Sequence, residues 1–441
     1  MLAIVFLSTA GLTLFVLRRL RFDWPAIAIV LAGVVLYSDY LTYTSVAARN
    51  YDGLSHLQYI QYIAEHLRLP AMSACMACGH PPLYYVLGAA WSRTVLAGGW
   101  MPLELGLQWF SLLLFVGFVV VALLVIRSFG VAGATGWLAA ALVVFWPSSV
   151  LNSVRVHNDA LASLLILAAI YFTARWDARS APRDFWLAVA AAALAMLTKA
   201  SGYVAAGTFI LFLFVHLRGR TASRRDLSRA GIAVAILSAA AVLAVVSRLE
   251  KSPHRLCQEV LGHACDGRYV PPVADTPGHF VFFDLRDFVG RMDATPDYPR
   301  PDYFWNRFAK SSLFGASPLG DEFRSPRHAI LAVAIKVLFL VMVAFCAGGA
   351  VFLRPASWRP YRVYAAAGVI MLIALLAFRI RVPNEFHEDF RHVFAGLVPF
   401  CLAYALVVAR ARRLSPALYW IGLSAGVLMI GSSVLFFAHL P

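Results

Sequence analysis

Residues 51 to 85, YDGLSHLQYIQYIAEHLRLPAMSACMACGHPPLYY, concentrate acids, histidines, tyrosines and cysteines in a chain that is otherwise largely apolar. Shorter polar stretches of the same character are R-V-H-N-D-A at 155–160, L-T-K-A-S-G at 197–202 and E-D-F-R-H at 388–392. Their carboxylates can accept a proton, and their lysine and arginines can bind an anionic group. Whether these side chains act together depends on the elements that carry them.

The composition places these stretches in a membrane protein. Of 441 residues, 61% are hydrophobic and 14% are charged, and the mean hydropathy is +0.73, which is far outside the range of ordinary globular chains. The formal net charge of +15 comes from short basic clusters between apolar runs, a pattern typical of membrane loops and not of a nucleic-acid-binding surface. The sequence therefore predicts an all-α polytopic membrane protein that contacts membrane lipids and no nucleic acid.

Twelve apolar segments are long enough, or nearly so, to cross about 30 Å of hydrocarbon as helices. They lie near residues 1–17, 25–47, 103–126, 134–150, 160–174, 185–198, 203–217, 230–249, 329–353, 363–378, 392–409 and 415–437. The first segment lacks a basic start and is followed by R-R-L-R-F, so we expect a retained helix and not a cleaved signal. We expect the whole chain, 1–441, to form one transmembrane domain with no soluble domain before or after it.

Arginines orient this bundle, because cytoplasmic loops carry an excess of basic residues. The arginine clusters fall in alternate loops, near 18–21, 127, 175–183, 218–229, 354–362 and 410–413. The opposite loops are then external: 48–102, 151–159, 198–202, 250–328 and 379–391. Nearly all the unusual polar residues fall in these outer loops. We therefore expect a multi-pass protein of the inner (plasma) membrane with its site on the external, or periplasmic, face.

The first outer loop, 48–102, is predicted to carry two helices beside the membrane. After Asp52, apolar residues follow one arc of a helix and polar residues the other, as in a helix lying at the membrane interface. The H-P-P motif then precedes a second short segment, L-Y-Y-V-L-G-A-A-W-S-R-T-V. The large outer loop, 250–328, is expected to fold as a lid over the site, because long loops without structure are uncommon unless functional or disordered; a simple connector is the alternative.

Four cysteines lie in the outer loops: Cys75, Cys78, Cys257 and Cys265. A zinc site would require four ligands at suitable spacing, and haem attachment would require a histidine where Gly79 stands. Disulfides are the default in an oxidising exterior, and four cysteines permit three pairings. Of these we favour Cys257 with Cys265 and Cys75 with Cys78.

The chain resembles GT-C glycosyltransferases related to protein O-mannosyltransferases and to the aminoarabinose transferase of lipid A. The resemblance begins with an acidic residue after an early transmembrane helix, followed by H-L-x-Y-I-x-Y-I-A-E-H-x-R-L-P and H-P-P-L-Y-Y. It continues through N-D-A-L-A at 158–162, L-T-K-A-S-G at 197–202, F-W-N-R-F-A-K-S-S-L-F-G at 304–315 and E-D-F-R-H-V-F-A-G-L-V-P at 388–399. One departure is that Asp52 is followed by Gly53 where the mannosyltransferases carry an Asp-Glu pair.

The resemblance implies a GT-C-like bundle that transfers a sugar from a polyprenyl-phosphate donor to a hydroxyl at the outer face, with inversion. The attacking hydroxyl needs a base and the departing phosphate needs cationic side chains. Asp52 is our first choice for the base; the alternative is that it only caps the following helix. Asp159 is the second carboxylate, which could position the acceptor or a metal, or could cap a helix beginning at Ala160.

Lys199 is the main candidate for phosphate binding, because a lysine between two apolar runs must face a cavity, a partner or the interface. Snorkelling to the membrane surface is the alternative. Further candidates for substrate binding are His56, Tyr59, His80, Tyr84, Tyr85, Arg155, His157, Arg391 and His392. The tyrosines are expected to stack on sugar or prenyl groups, or to form an interfacial aromatic belt. The sequence indicates no definite cofactor and leaves a divalent metal open.

Two other functional classes fit the composition. A lipid-linked saccharide flippase or transporter should show charged or broken helices near the membrane midplane, and few are visible. An O-antigen-type polymerase or ligase would use similar substrates without an early aspartate. The sequence does not identify the sugar, and lipid, protein and polysaccharide acceptors all stay open.

Overall fold

A computed structural model of the chain describes residues 1–46, 52–218, 223–247, 276–290, 303–315, 321–352, 361–381 and 388–438. Regular structure in these residues is helical, without strands. The α-helices are α1 (Leu2–Arg19), α2 (Trp24–Thr42), α3 (Gly53–His66), α4 (Leu83–Thr94), α5 (Leu103–Ser128), α6 (Gly133–Phe145), α7 (Pro147–Ser153), α8 (Asn158–Arg179), α9 (Pro182–Met196), α10 (Tyr203–Arg218), α11 (Arg224–Val246), α12 (Pro277–Val281), α13 (Leu285–Gly290), α14 (Phe304–Phe314), α15 (Pro326–Phe352), α16 (Arg362–Arg381), α17 (Leu397–Ala411) and α18 (Pro416–Phe437). Short 3-10 helices include Ala200–Gly202 before α10 and Phe390–Gly396 before α17.

Ten helices among the described residues are long and apolar enough to cross a membrane. They are α1, α2, α5, α8, α10, α11, α15, α16, α17 and α18, with α10 and α17 extended by the 3-10 turns before them. The predicted all-α polytopic membrane fold is thereby confirmed. Two of the twelve predicted spans differ: 134–150 is the pair α6 and α7, bent by 54°, and 185–198 is the 15-residue helix α9, shorter than a typical span.

The bend between α6 and α7 has its cause in Pro147. A residue before proline is disfavoured in the helical region, and Trp146 accordingly has an extended backbone (φ −60°, ψ 135°). The indole Nε1 of Trp146 donates to the carbonyl oxygen of Ser312 at 2.7 Å. The bend therefore docks α7 onto α14, which belongs to the predicted large outer loop.

The polar stretches meet at one end of the bundle. Helix α8 begins, α9 ends and α10 begins at this end, and α9 packs against both neighbours. Arginines link the helices at the opposite end, where Arg362 Nη2 lies 2.5 Å from Asp177 Oδ1 and Arg175 Nε lies 3.1 Å from Asp184 Oδ1. These pairs place Arg175 and Arg362 at the end of the bundle away from the polar stretches.

The described pieces of the predicted loop 250–328 pack on the site end of the bundle. Asn306 on α14 donates from Nδ2 to the Asp284 carbonyl at 2.7 Å and to Asp287 Oδ2 at 2.9 Å. Lys310 Nζ lies 2.6 Å from the same Asp287 oxygen. Residues Cys257 and Cys265, with their expected disulfide, lie outside the described residues, and the lid function of the loop stays a prediction.

Candidate functional site

Asp52 precedes the first turn of α3 but does not cap it. Its side chain makes no capping hydrogen bond, and its Oδ2 instead lies 3.4 Å from Nε2 of both His56 and His157. Its buried Oδ1 has no hydrogen-bond partner, and the nearest cation is Arg391, whose Nη1 is 3.8 Å away. The Asp52 carboxylate therefore does not cap α3, contrary to the alternative considered from the sequence.

Asp159 contacts His157 and Lys199 in a buried cluster of three side chains. Asp159 Oδ2 lies 2.5 Å from His157 Nδ1, and Asp159 Oδ1 accepts a hydrogen bond from Lys199 Nζ. The alternative that Asp159 caps a helix beginning at Ala160 is wrong, because α8 begins at Asn158 with His157 as its N-cap. Lys199 is 7% exposed, so it does not snorkel to the surface.

Arg391 lies between this cluster and Asp52. Its Nη1 lies 3.2 Å from His157 Nε2. Asp389 orients it twice, because Asp389 Oδ2 lies 3.1 Å from Arg391 Nε and Asp389 Oδ1 accepts from the Arg391 backbone N–H at 3.0 Å. The 3-10 turn Phe390–Gly396 therefore presents a fixed guanidinium beside His157 and Asp52.

A cavity of about 530 Å³, which we call the site cavity, opens beside these groups. Its polar end contains Asp52, His157, Lys199 and Arg391, and its apolar wall is one face of α16. The wall residues Ile370, Met371, Ala374, Leu375 and Phe378 follow helical spacing. The site cavity therefore joins a charged polar end to an apolar wall.

Some of the remaining predicted residues line the site cavity and others do not. His80 and His392 line it, together with Met76, which the sequence did not suggest. Arg155 instead lines a much smaller space of about 10 Å³ that His157 and Arg391 also line. Cys75 and Cys78 form a disulfide in the turn that carries His80, and this turn is fastened to α3 because Ser55 Oγ accepts from the Ala77 N–H at 2.7 Å.

The three predicted tyrosines lie behind His56 and do not line the site cavity. Tyr59, Tyr84 and Tyr85 are fully buried, with the Tyr59 and Tyr85 rings stacked at 3.7 Å between centroids. A 2.8 Å hydrogen bond joins the Tyr85 hydroxyl to His56 Nδ1. These contacts fix the His56 ring with Nε2 towards Asp52. None of the three tyrosines exposes a ring face on which a sugar could stack.

Burial and the neighbouring imidazoles set the charge state of Asp52 and His56. Burial alone would favour the neutral acid, but His157 and His56 outweigh it and hold the pKa of Asp52 well below its usual range. Burial lowers the pKa of His56 to about 4. At neutral pH the site therefore holds an ionised Asp52 beside a neutral His56.

Asp52, His56 and His157 could bind a metal ion by their number and geometry. One ligand atom of each lies within 4.8 Å of the other two, and nitrogen with carboxylate ligands suits zinc or a similar transition metal. However, Arg391 Nη1 already lies 3.2 Å from His157 Nε2, so a metal would share this space with a guanidinium. The residues present therefore fit a metal poorly.

The sequence missed two groups of residues near the site. Asp389 and Glu388 lie in the E-D-F-R-H motif, but their roles depend on partners that are distant in the chain. Glu388 is fully buried, with Oε1 at 2.5 Å from Arg379 Nε and 2.7 Å from His279 Nε2, and Oε2 at 3.9 Å from Arg307 Nε. The second group is the α16 wall, whose residues look like any other transmembrane segment.

Comparison with known proteins agrees with the resemblance found in the sequence. Residues 80–245 match the family model of the dolichyl-phosphate-mannose-protein mannosyltransferases. Among solved structures, the apo crystal structure of the Archaeoglobus fulgidus oligosaccharyltransferase has 16% sequence identity and a TM-score of 0.49. That alignment covers 94% of this chain and 56% of the archaeal chain, so this chain spans little more than half the length of that protein. No curated protein sequence matches significantly.

The family match covers part of the candidate site. It includes α8, α9 and α10, and thus Asp159 and Lys199. Over these residues the chain is similar to the mannosyltransferase family of the GT-C superfamily of membrane glycosyltransferases, which confirms the resemblance predicted from its motifs.

Proposed function

We propose that the protein transfers a sugar from a polyprenyl-phosphate donor to a hydroxyl acceptor, with inversion, at the outer face of the inner membrane. The observation that carries the proposal is the site cavity, in which an ionised carboxylate faces two cationic side chains at the end of an apolar wall. We place the prenyl chain along α16 and the phosphate between Lys199 and Arg391.

The charges of the polar end favour a phosphate at this position. Lys199 is paired with Asp159, and Arg391 is paired with Asp389, so each cation is oriented before a ligand arrives. Both cations line the cavity and can form short, charge-assisted hydrogen bonds to phosphate oxygens. In a space partly closed to water, these bonds stabilise the negative charge that develops on the leaving phosphate.

In this proposal Asp52 acts as the base. The acceptor oxygen attacks the anomeric carbon as the bond from that carbon to the phosphate oxygen breaks, and Asp52 takes the acceptor proton. The products are the glycosylated acceptor and polyprenyl phosphate. A carboxylate with a low pKa is a weak base, so we expect proton transfer late in the step, after the attacking hydroxyl has become acidic. A single displacement of this kind inverts the anomeric centre.

A transfer assay tests this proposal directly. The purified full chain in vesicles is given a polyprenyl-phosphate monosaccharide labelled in the sugar, with lipid, peptide and polysaccharide acceptors in separate reactions. We expect label on one acceptor class and an equal amount of released polyprenyl phosphate. Movement of intact labelled donor between leaflets without transfer would instead identify a flippase, and transfer confined to preassembled oligosaccharides would identify a polymerase or ligase.

The assignment of the prenyl chain to the α16 wall has its own test. Ala374 faces the site cavity, whereas Val369 on the same helix is 57% exposed and points away from it. Ala374→Phe should raise the KM for a long-chain donor more than for a short-chain analogue, because the ring narrows the space for the chain. Val369→Phe should leave both values unchanged. Equal effects of the two variants would remove the donor chain from this wall.

A further inference from the structure

A second cavity, separate from the site cavity, lies at the opposite end of the bundle. It has a volume of about 300 Å³ and lies among α15, α17 and the start of α18. Its lining residues, which we call the arginine pocket, are Ala344, Phe345, Gly348, Gly349, Val407, Arg410, Ala411, Leu414 and Leu418. The pocket shares no residue with the site cavity, and Arg410 lies about 20 Å along α17 from its first residue.

Two adjacent glycines on α15 create the arginine pocket. A Cβ atom at Gly349 would lie 2.2 Å from Val407 Cγ2, so α15 and α17 are in close contact there. A Cβ atom at Gly348 would meet nothing within 4 Å, so the helix surface recedes directly beside this contact. The close approach and the missing side chain together leave an apolar opening between membrane-spanning helices.

The mouth of the arginine pocket carries positive charge. Arg410 is the charged member of the lining residues, and Arg412 and Arg413 follow as exposed residues. The sequence from 397 to 438 contains no aspartate or glutamate. An anion at Arg410 would therefore meet one cation, with two further arginines close to it in the sequence and no carboxylate from these two helices.

We infer that the arginine pocket binds an anionic phospholipid, with an acyl chain in the apolar opening and the headgroup phosphate at Arg410. Inside a bilayer, an apolar pocket gains little by taking one hydrocarbon chain in place of another. Selectivity must come from the headgroup, and basic residues at the membrane surface favour anionic lipids. The inference is independent of the sugar-transfer reaction.

Native mass spectrometry of the full chain tests this inference. Protein released from nanodiscs with equal amounts of phosphatidylglycerol and phosphatidylcholine should retain one phosphatidylglycerol. Arg410→Gln should lower this occupancy about fivefold, the ratio expected for one basic residue at an anionic surface. Arg19→Gln, at an exposed arginine in the last turn of α1, should not lower it. Equal retention of both lipids, or equal effects of the two variants, would overturn the inference.

A second pair of variants tests the apolar opening. Gly348→Leu should fill it and remove the retained phosphatidylglycerol, and a Cβ atom at this position meets nothing within 4 Å. Gly431→Leu on α18 is the control, because a Cβ atom there also meets nothing within 4 Å but the position lies outside the pocket. This variant should retain the lipid. Retention in both variants contradicts the proposed seat of the acyl chain. Displacement of phosphatidylglycerol by equimolar polyprenyl phosphate would assign the pocket to the donor and also overturn the inference.

Discussion

Asp52 and Asp159 both lie at the start of a helix, but their surroundings give them different tasks. Asp159 is neutralised by Lys199, and its Oδ2 lies 2.5 Å from His157 Nδ1. Asp52 has an Oδ1 without a hydrogen-bond partner, and its nearest cation is 3.8 Å away. A carboxylate without a close cation suits a base, whereas the carboxylate paired with Lys199 suits a group that holds Lys199 in place.

Variants of the Lys199–Asp159 pair can distinguish an effect on the free energy of unfolding from an effect on the transfer rate. Lys199→Met should lower the free energy of unfolding by about 3–5 kcal/mol, because it leaves a buried carboxylate without its cation. It should also slow transfer about 10²–10³-fold with every acceptor, as expected for a lost leaving-group contact. Adding Asp159→Asn should restore much of the stability but not the transfer rate. Thermal unfolding and single-turnover rates measure the two effects, and recovered transfer in the double variant would show that Lys199 only supports the fold.

The buried imidazole of His56 predicts a pH dependence of stability. In the unfolded chain it takes up a proton near pH 6.5, but in the folded protein only near pH 4. The unfolded state therefore binds more protons between these values, so the free energy of unfolding falls as the pH drops from 6.5 to 4. The loss should reach about 3 kcal/mol. Chemical unfolding at several pH values should show a shallower decline for His56→Gln; parallel curves would contradict the buried neutral state.

Among the elements, the 3-10 turn Phe390–Gly396 depends on the Glu388 cluster before it. Glu388 contacts Arg379 at the end of α16, His279 on α12 and Arg307 on α14. Ser311 Oγ on α14 also accepts from the Phe390 N–H at 2.9 Å. The cluster thus joins α12 and α14 to the turn that presents Arg391.

Glu388→Gln should therefore loosen this turn. Removing one member of a buried charge cluster is expected to cost about 3–5 kcal/mol, and transfer should fall through a higher donor KM as Arg391 loses its position. The surface pair at the opposite end provides the control, because Asp177→Asn removes a carboxylate whose partner Arg362 is 41% exposed. That change should cost at most about 1 kcal/mol. Similar stability losses in the two variants would argue against a special role for the cluster.

Element positions were more predictable from the sequence than side-chain contacts. Runs of apolar residues located the spanning helices, and alternating arginines showed that Asp52, Asp159 and Lys199 lie at the same end. The bend at Pro147 and the short α9 were missed, because hydropathy reports apolar length and not helix continuity. The burial of Tyr84 and Tyr85 and the partners of Glu388 depend on packing between segments far apart in the chain, which no local pattern encodes.

For the whole molecule, the central geometric claim is that the site end faces the exterior. Leu67→Cys, at a position that is 72% exposed beside α3, should react with a membrane-impermeant thiol reagent added to intact cells. Arg412→Cys, exposed at the opposite end, should react only after the membrane is opened. The unmodified chain provides the background from its two free cysteines among the described residues. Labelling of both positions from one side would reject the assigned orientation.

The most direct test of the account is the transfer rate of Asp52→Asn. Asparagine keeps the size of the side chain, and α3 should form normally because Asp52 makes no side-chain capping bond. We predict a loss of about 10²–10⁴-fold in the single-turnover rate, the usual cost of removing a general base, with donor binding retained. Asp23→Asn, at an aspartate that does cap a helix, should transfer at the unmodified rate. If folded Asp52→Asn transfers sugar as fast as the unmodified protein, Asp52 is not the base and Asp159 becomes the leading candidate.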